Sequence, residues 1–383
     1  MSGRPVRRLD CDLLRVLCMA AVVYLHTAAK ALRNSSGLVW HWANAVSSLA
    51  TAAVPLFFML SGALLLSEDR TASLSHLFRR RLPRLLVPLL AWSGVVIAAV
   101  WVQEGAEAAL SIAAALPSTP AVVPYWFVYA LLPLYLLSPL LKKMADGLSD
   151  SHWNYVVGLW LLLTIGLNTL HGFLPFGSVL RTLTGVHPTL NINAVGGYLG
   201  YFLLGARLSR LEKLPPRPLL WGTAAGLWAL IALGTWRLFA DTGSYDERFK
   251  SYLYLFAALL ASALFLLLRS YAGEHASPRW LTGLSGLSFG VYLTHPLALS
   301  FWTLVWGEAF PQTMTILPHH LLLYGTVLLS CLLGVFLAGS IKPLCFLLTG
   351  QRFSAACRES NLFALKKRTG RRELRHKKHG KAP

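Results

Sequence analysis

Charged residues are scarce in this sequence. Only 13% of its 383 residues are Asp, Glu, Lys or Arg, whereas soluble globular domains have about 25%. Acidic residues are the rarest of these, with 16 Asp and Glu against 35 Lys and Arg, while hydrophobic residues make up 55% of the chain. This composition excludes an ordinary soluble globular protein, so the number of domains cannot be estimated from chain length.

Cysteine is also rare and follows no pattern. None of the five cysteines has a metal-binding spacing, and each falls in an apolar run, at a helix end or in the basic tail: Cys11, Cys18, Cys331, Cys345 and Cys357. We therefore expect thiols that act as small hydrophobic residues rather than disulfides. We expect neither a metal site nor a tightly bound cofactor.

Apolar runs long enough to cross a bilayer, about 17–25 residues each, recur along the chain. The N-terminus leads directly into the first run without a cleavage site, which indicates a retained span rather than a signal peptide. We predict an all-α, polytopic transmembrane bundle, with a membrane domain at 1–348 and a tail at 349–383. The ten predicted spans are 9–29, 42–66, 84–103, 124–141, 154–170, 194–209, 219–239, 251–268, 284–306 and 319–348.

The distribution of Lys and Arg predicts the orientation of this bundle. With the N-terminus in the cytoplasm, the cytoplasmic loops hold sixteen Lys and Arg and the outside loops hold six. Loops rich in Lys and Arg stay on the cytoplasmic side during insertion. We therefore predict that the N-terminus and the C-terminus are both cytoplasmic.

The C-terminal tail is strongly basic and ends in LKKRTGRRELRHKKHGKAP. Such a run of like charge is typical of a disordered segment. We expect it to contact anionic membrane lipids rather than nucleic acid, because it follows the last span on the predicted cytoplasmic side.

The first predicted span contains three ionisable residues, Asp12, Arg15 and His26. Arg15 and His26 are eleven residues apart, so they share one face of a helix about 16 Å apart along its axis. The simpler interpretation is that Arg15 reaches the headgroups or pairs with Asp12, and that His26 bonds to a neighbouring helix. Ionisable residues inside a membrane usually face a cavity, however, and histidine suits general-base chemistry.

A second group of polar residues follows. Ser61 and Gly62 interrupt the apolar stretch VPLFFMLSGALLL at 54–66, where the default interpretation is a helix-packing pair. After a short loop, four arginines occur within six residues, and we call Arg79, Arg80, Arg81 and Arg84 the arginine cluster. The cluster is either a signal for cytoplasmic topology or a site for a polyphosphate anion.

Two later stretches supply the remaining candidates. Trp126 lies at the start of YWFVYALLPLYLLSPLL (125–141), where an aromatic residue at the membrane interface is common. In LSFGVYLTHPL (287–297), Tyr292 and His295 are three residues apart and share a helix face that would meet a polar cavity. Together with Ser61, these three residues are secondary candidates.

Taken in order along the chain, these motifs resemble the acyltransferase family 3 of polytopic membrane proteins, which O-acetylate cell-surface polysaccharides and related glycolipids. The resemblance covers residues 8–345, and the sequence is similar in particular to the branch that includes the acetyltransferase of enterobacterial common antigen. The matching motifs are Asp12-Leu-Leu-Arg15, the spacing from Arg15 to His26, PLFFMLSG (55–62), the arginine cluster, YWFVYALLPLYLLSP (125–139) and SFGVYLTHPL (288–297).

The resemblance implies an O-acetyltransferase of the cell inner (plasma) membrane. Its partners would be acetyl-CoA, as a co-substrate rather than a bound cofactor, and a surface glycan or lipid-linked saccharide that receives the acetyl group on a hydroxyl. Arg15 and His26 would carry out acyl transfer, with His26 as general base and Asp12 orienting Arg15. The arginine cluster would hold the phosphates of the coenzyme.

Two mechanisms and two other functions remain open at this point. Transfer would be direct or would pass through an acyl group on Ser61 or His26. A transporter or flippase of a glycan or lipid precursor would also have many spans and a few intramembrane charges, and a scaffold subunit would need neither Arg15 nor His26. The arginine cluster favours the enzyme, because a transporter has no need of a coenzyme A site.

Overall fold

The protein is described from a computed structural model that covers residues 7–175, 177–184, 197–273, 275–309 and 316–354. These residues form an all-α bundle without β-strands, as predicted. The helices longer than one turn are α1 (Leu9–Asn34), α2 (Gly37–Ala50), α3 (Ala53–Leu65), α4 (Leu82–Glu104), α5 (Ala106–Ala115), α6 (Trp126–Gly147), α7 (Asp150–Trp160), α8 (Leu167–Phe173), α9 (Val179–Thr184), α10 (Gly197–Ser209), α11 (Arg217–Thr242), α12 (Leu255–Ala272), α13 (Arg279–Ala309), α14 (Leu317–Ser340) and α15 (Lys342–Thr349).

Eight helical segments in the described part of the chain are long and apolar enough to cross a membrane. They correspond to eight of the ten predicted spans and are Leu9–Asn34, Gly37–Leu65, Leu74–Glu104, Val123–Gly147, Asp150–Phe173, Arg217–Thr242, Arg248–Ala272 and Leu317–Ser340. The other two predicted spans, 194–209 and 284–306, fall on α10 and α13. In the described part of the chain α10 has 13 residues, and α13 carries three Ser, three Thr and one His, so neither is among the eight.

Three other sequence predictions are not decided by this architecture. The number of spans and the orientation of the termini stay predictions from hydropathy and charge. Residues 355–383, which make up most of the predicted tail, lie outside the described residues.

Helix α1 is central to the bundle. It packs against α2, α3, α12, α13 and α14. Its buried side chains Leu14, Cys18 and Val22 belong to the main core, whereas Met19 and Val23 join a second core with α13 and α14. Of its candidate residues, Asp12 is buried between helices and Arg15 and His26 are partly buried.

A very close helix contact joins α3 to α10. A Cβ atom on Gly62 would lie 1.7 Å from the carbonyl oxygen of Phe202, and one on Gly205 would lie 2.0 Å from the carbonyl oxygen of Met59. Only glycine permits the backbones to approach this closely. Gly62 therefore packs helices, as the default interpretation of the Ser61–Gly62 pair predicted.

At the end of the bundle where α1 begins, arginine side chains donate hydrogen bonds to carbonyl oxygens at the C-termini of several helices. Arg210 donates to the carbonyl oxygens of Ala145 (2.7 Å) and Leu66 (3.2 Å), and Arg269 donates to that of Leu208 (2.6 Å). The last carbonyls of a helix lack intrahelical partners, and cations are favoured there. These contacts gather at one end of the bundle several segments that the charge pattern predicts to be cytoplasmic. We call it the basic end and the opposite one the far end.

A buried lysine ties α2 to the segment that precedes α12. Lys250 Nζ donates to Asn44 Oδ1 and to Ser47 Oγ, both at 2.7 Å. The backbone carbonyl of Lys250 accepts a hydrogen bond from Thr51 Oγ1 at 2.8 Å, at the break between α2 and α3. This network fixes the position of Tyr252, two residues later, which lines the cavity described below.

Candidate active site

Asp12 holds the start of α1 against α13 at the basic end. Its carboxylate is 1% exposed and accepts hydrogen bonds from Ser285 Oγ (2.7 Å) and Thr282 Oγ1 (3.2 Å), both on α13. Two arginines share the same carboxylate, with Arg7 Nη2 at 2.7 Å and Arg15 Nη1 at 3.4 Å. The predicted contact between Asp12 and Arg15 is therefore present, and α13 supplies partners that the sequence did not reveal.

Arg15 and part of the arginine cluster surround the same tyrosine. Arg15, Arg81 and Arg84 are all within electrostatic range of the hydroxyl of Tyr135 on α6. Arg81 belongs to a π-helical segment, Leu77–Arg81, which leads into α4. The structure thus places the arginine of the first helix and two members of the cluster, Arg81 and Arg84, around one tyrosine at the basic end.

The four members of the cluster differ in their surroundings. Arg81 is bound by the carboxylate of Glu68 (2.6 Å) and the hydroxyl of Thr71 (3.0 Å), and its side chain is mostly buried. Arg79, Arg80 and Arg84 are exposed. Three of the four guanidinium groups are therefore accessible to an anion, while Arg81 also holds the 66–72 loop in place.

His26 faces a small cavity toward the far end of the bundle. The cavity has about 20 Å³ open to the centre of a water molecule, so it admits about one water. Five parts of the chain form its walls: α1, α3, the segment around the start of α6, the segment before α12, and α13. The lining residues are Val22, Leu25, His26, Val54, Phe57, Pro124, Trp126, Phe127, Tyr252 and Tyr292.

His295 lies behind His26, on α13. The two ring centroids are 5.0 Å apart and the His295 side chain is completely buried. Its Nδ1 atom is 2.5 Å from the backbone carbonyl oxygen of Tyr292. Two residues 269 positions apart in the sequence thus form one imidazole pair, of which His26 faces the cavity and His295 is enclosed.

Two tyrosine hydroxyls fix the turn that closes one side of the cavity. Tyr125 donates to the carbonyl oxygen of Leu293 at 2.6 Å, and Tyr292 donates to that of Pro124. Because the two hydrogen bonds run in opposite directions between α13 and the Val123–Tyr125 turn, they set the distance between the imidazole pair and the start of α6.

Stacked aromatic rings extend from the cavity that His26 lines, and we call Trp126, Tyr252, Tyr198 and Phe58 the aromatic wall. The indole of Trp126 lies parallel to the ring of Tyr252, with centroids 5.9 Å apart and planes inclined by 19°. Tyr198 contacts Trp126 (5.3 Å between centroids) and stacks on Phe58 (4.6 Å). Trp126 is one of the predicted candidates, and the neighbouring rings were not singled out from the sequence.

Comparison with known protein families decides the class of the molecule. A family model described as an acyltransferase domain, Acyl_transf_3, matches residues 8–337, which is most of the chain. The chain belongs to this family. The protein is therefore a membrane acyltransferase, as the motifs predicted, although the particular branch stays a prediction. No curated protein and no solved structure gives a significant match.

Ser61 lies apart from the cavity of the acyltransferase. Its hydroxyl donates to the carbonyl oxygen of Phe57, one turn earlier on α3, at 2.8 Å. Phe57 lines the cavity but Ser61 does not. The structure thus brings His26, Trp126, Tyr292 and His295 together at one place. It brings Asp12, Arg15, Arg81 and Arg84 together at another, and Ser61 lies at neither.

The residues of the site that were not predicted from the sequence are those that long-range packing brings to it. Tyr252 and Pro124 line the cavity, but each belongs to a short irregular segment whose position depends on contacts with another helix. The one local signal for Tyr252 is that it lies in a tyrosine-rich stretch, SYLYLFAALL at 251–260. Among the described residues, no group of His, Cys, Asp or Glu is arranged to hold a metal ion.

Proposed function

We propose that the acyltransferase transfers an acetyl group from cytoplasmic acetyl-CoA to a hydroxyl of a surface glycan or lipid-linked saccharide, in the cell inner membrane. His26 is the general base. The observation that carries this proposal is the imidazole pair, because His26 faces a cavity inside an apolar bundle with a second, buried histidine directly behind it. A histidine in that position suits proton transfer to and from a hydroxyl.

The donor would bind at the basic end. The exposed members of the arginine cluster offer charge-assisted hydrogen bonds to the phosphates of the coenzyme, with the paired N–H geometry that suits phosphate. Arg15, about a third exposed and paired with Asp12, lies around the same tyrosine as Arg81 and Arg84. From Arg15 to His26 the distance along α1 is about 16 Å, which the thioester arm would span.

In the reaction, an imidazole nitrogen of His26 takes the proton of the acceptor hydroxyl. The hydroxyl oxygen attacks the thioester carbonyl carbon, so that a C–O bond forms and the C–S bond breaks. The coenzyme leaves as a thiolate and takes the proton from His26. The products are an acetyl ester and coenzyme A, and His26 returns to its initial state.

The surroundings of Ser61 support direct transfer rather than an acyl-serine intermediate. A nucleophilic serine needs an adjacent base, whereas Ser61 donates to a backbone carbonyl outside the cavity lining. An acyl group carried transiently on His26 is the alternative, and a burst of free coenzyme before acceptor is added would reveal it.

The aromatic wall supports a saccharide acceptor. Trp126 and Tyr252 present flat apolar faces beside His26, together with an indole N–H and a phenol hydroxyl. Such rings contact the apolar face of a sugar while their polar atoms bond its hydroxyls. The wall is therefore suited to contact a sugar at the edge of the cavity, which has room for one hydroxyl group beside His26.

The test is an assay of the purified protein in detergent, with acetyl-CoA and lipid-linked saccharide extracted from the native membrane. Wild type should transfer acetyl, and His26→Ala should lower kcat by about 10²–10⁴, the usual contribution of a positioned general base. His41→Ala is a matched control, because His41 is exposed on α2. A transporter only moves its substrate across a membrane. It would therefore give no acetyl transfer in this assay, where no membrane separates donor from acceptor. If wild type transfers nothing, or if His26→Ala is as active as wild type, the proposed role of His26 is wrong.

A further inference from the structure

A proline lies inside α13 directly after the buried histidine. In an α-helix the N–H of residue 296 would bond to the carbonyl oxygen of residue 292. Pro296 has no N–H, so this bond is missing and the carbonyl of Tyr292 is available to another donor. A buried carbonyl requires such a partner, because an unpaired polar group inside an apolar bundle is costly.

His295 supplies the missing donor. Its Nδ1 atom lies 2.5 Å from the Tyr292 carbonyl oxygen, and the carbonyl of Val291 also faces the ring. A carbonyl oxygen only accepts hydrogen bonds, so Nδ1 must carry the hydrogen. In the neutral ring, the other nitrogen, Nε2, is then unprotonated.

The same arrangement occurs a second time in the molecule. In α6, Pro139 leaves the carbonyl of Tyr135 without its usual donor, and the preceding residue, Ser138, donates its hydroxyl to that carbonyl at 2.7 Å. In both helices the polar side chain directly before the proline bonds to the carbonyl three residues before itself. In both helices that carbonyl is the one that the proline leaves without its usual backbone donor.

The second nitrogen of His295 has a different environment. Nε2 is buried and has no hydrogen-bond partner among the described residues. The ring nearest to it that carries an N–H is that of His26, whose centroid is 5.0 Å from the centroid of His295. No Asp or Glu lines the cavity, and Asp12 is about 21 Å away along α1, fourteen residues from His26.

We infer that Pro296 is a positioning residue that sets the protonation pattern of the whole imidazole pair. It leaves the Tyr292 carbonyl to the Nδ1–H of His295, which keeps Nε2 of His295 as an acceptor for an N–H of His26. The remaining nitrogen of His26 is then unprotonated and faces the cavity. His295 thus takes the role that a carboxylate has in enzymes where an acidic residue orients the catalytic histidine. The consequence for catalysis rests on the proposed function.

The first experiment measures the tautomer and needs no activity. Full-length protein with ¹⁵N-labelled histidine is studied by NMR in detergent micelles, where protonated and unprotonated ring nitrogens give well-separated signals. The chain has 12 histidines, so the His295 signals are assigned as those that disappear in His295→Asn. Wild type should show a single His295 tautomer with the hydrogen on Nδ1. In Pro296→Ala the restored backbone N–H competes for the Tyr292 carbonyl, and the Nε2–H tautomer should appear.

The second experiment measures acetyl transfer by the same proteins. Pro296→Ala should lower kcat by about 10- to 100-fold, less than the full contribution of the base, with the KM for acetyl-CoA unchanged. Pro133→Ala is the matched control, because Pro133 also interrupts a membrane helix but is exposed and far from the pair in sequence. It should keep the wild-type kcat and the wild-type His295 signals.

The outcomes separate this inference from the proposed function. If wild-type His295 carries its hydrogen on Nε2, or if Pro296→Ala leaves the tautomer unchanged, the inference is wrong whatever the activity. If the tautomer changes as expected but kcat does not, Pro296 has no positioning role in catalysis. If wild type transfers no acetyl group, the proposed function fails, and the tautomer measurement still decides what Pro296 does to His295.

Discussion

Asp12 offers the sharpest test of how the two ends of the site are connected. Its carboxylate accepts hydrogen bonds from Ser285 and Thr282 on α13, the helix that also carries His295. Replacing Asp12 by Asn keeps the shape of the side chain but removes the charge. We expect this change to loosen α1 against α13 and thereby to disturb the contact between His26 and His295.

The magnitude follows from the partners of Asp12. A hydrogen bond to a charged group contributes about 1.5–3 kcal/mol, and two such bonds cross to α13, one of them long at 3.2 Å. The ion pairs add little, because the Arg7 and Arg15 side chains are 33% and 31% exposed. Since Asn retains one acceptor oxygen, Asp12→Asn should lower the free energy of unfolding by about 2–4 kcal/mol.

Asp10 provides a matched control on the same turn of α1. It is as buried as Asp12, at 2% exposure, and it also pairs with an arginine, Arg8. Its hydrogen bonds are local, to Arg8 and to the backbone N–H of Cys11. Asp10→Asn should therefore cost no more than about 1 kcal/mol and leave kcat close to that of wild type.

Equilibrium unfolding in mixed micelles with a rising fraction of SDS measures these differences, and the acetyl-transfer assay measures the effect on kcat. The decisive variant is Asp12→Asn combined with Ser285→Ala. Its loss of stability should be smaller than the sum of the two single losses by about 1–2 kcal/mol, because both changes remove the same bond. Additive losses, or equal effects of Asp10→Asn and Asp12→Asn, would refute the reasoning.

Three further predictions concern the coenzyme, the packing and the topology. Replacing the whole arginine cluster by Gln should raise the KM for acetyl-CoA by at least about tenfold. Arg81→Gln alone should chiefly reduce stability. An unchanged KM would mean that the cluster acts only as a signal for cytoplasmic topology. Gly205→Ala should lower the free energy of unfolding by about 1–3 kcal/mol in the same assay. Gly94→Ala, where a Cβ meets nothing within 4 Å, should leave it unchanged. Equal effects would mean that α3 and α10 separate freely. Reporter fusions after residue 312 should report the outside and those after residue 75 the cytoplasm, and a cytoplasmic signal at 312 would contradict the ten-span prediction.

Much of the fold was predictable because apolar runs determine where membrane helices form. The existence of the helices and the ionisable residues Asp12, Arg15 and His26 were visible in the sequence, since a charge inside an apolar run is costly and therefore conspicuous. The contact between Gly62 and the α10 backbone was also predictable in kind, because small residues in membrane helices mark close packing. The partner helix was not.

The rest of the site depends on contacts between distant parts of the chain. Nothing in the local sequence pairs His26 with His295, or Asp12 with Ser285, since helix periodicity gives the face of each residue but not the neighbour of that face. Helix α5 falls between the predicted spans 84–103 and 124–141, because its run of small residues is too short to cross a membrane. Tyr252 was missed because the network around Lys250, not a local pattern, positions it.

The contact between Asp12 and α13 has a consequence for the order in which this protein matures. Asp12 leaves the ribosome early, but Ser285 follows 273 residues later. At about 5–20 residues per second, that interval lasts between about 14 and 55 s. During this interval α1 is in the membrane, and the carboxylate of Asp12 has no contact with α13. Nascent chains that stop short of residue 282 would thus lack both α13 partners of this carboxylate, and the enzyme becomes complete only when its last helices are inserted.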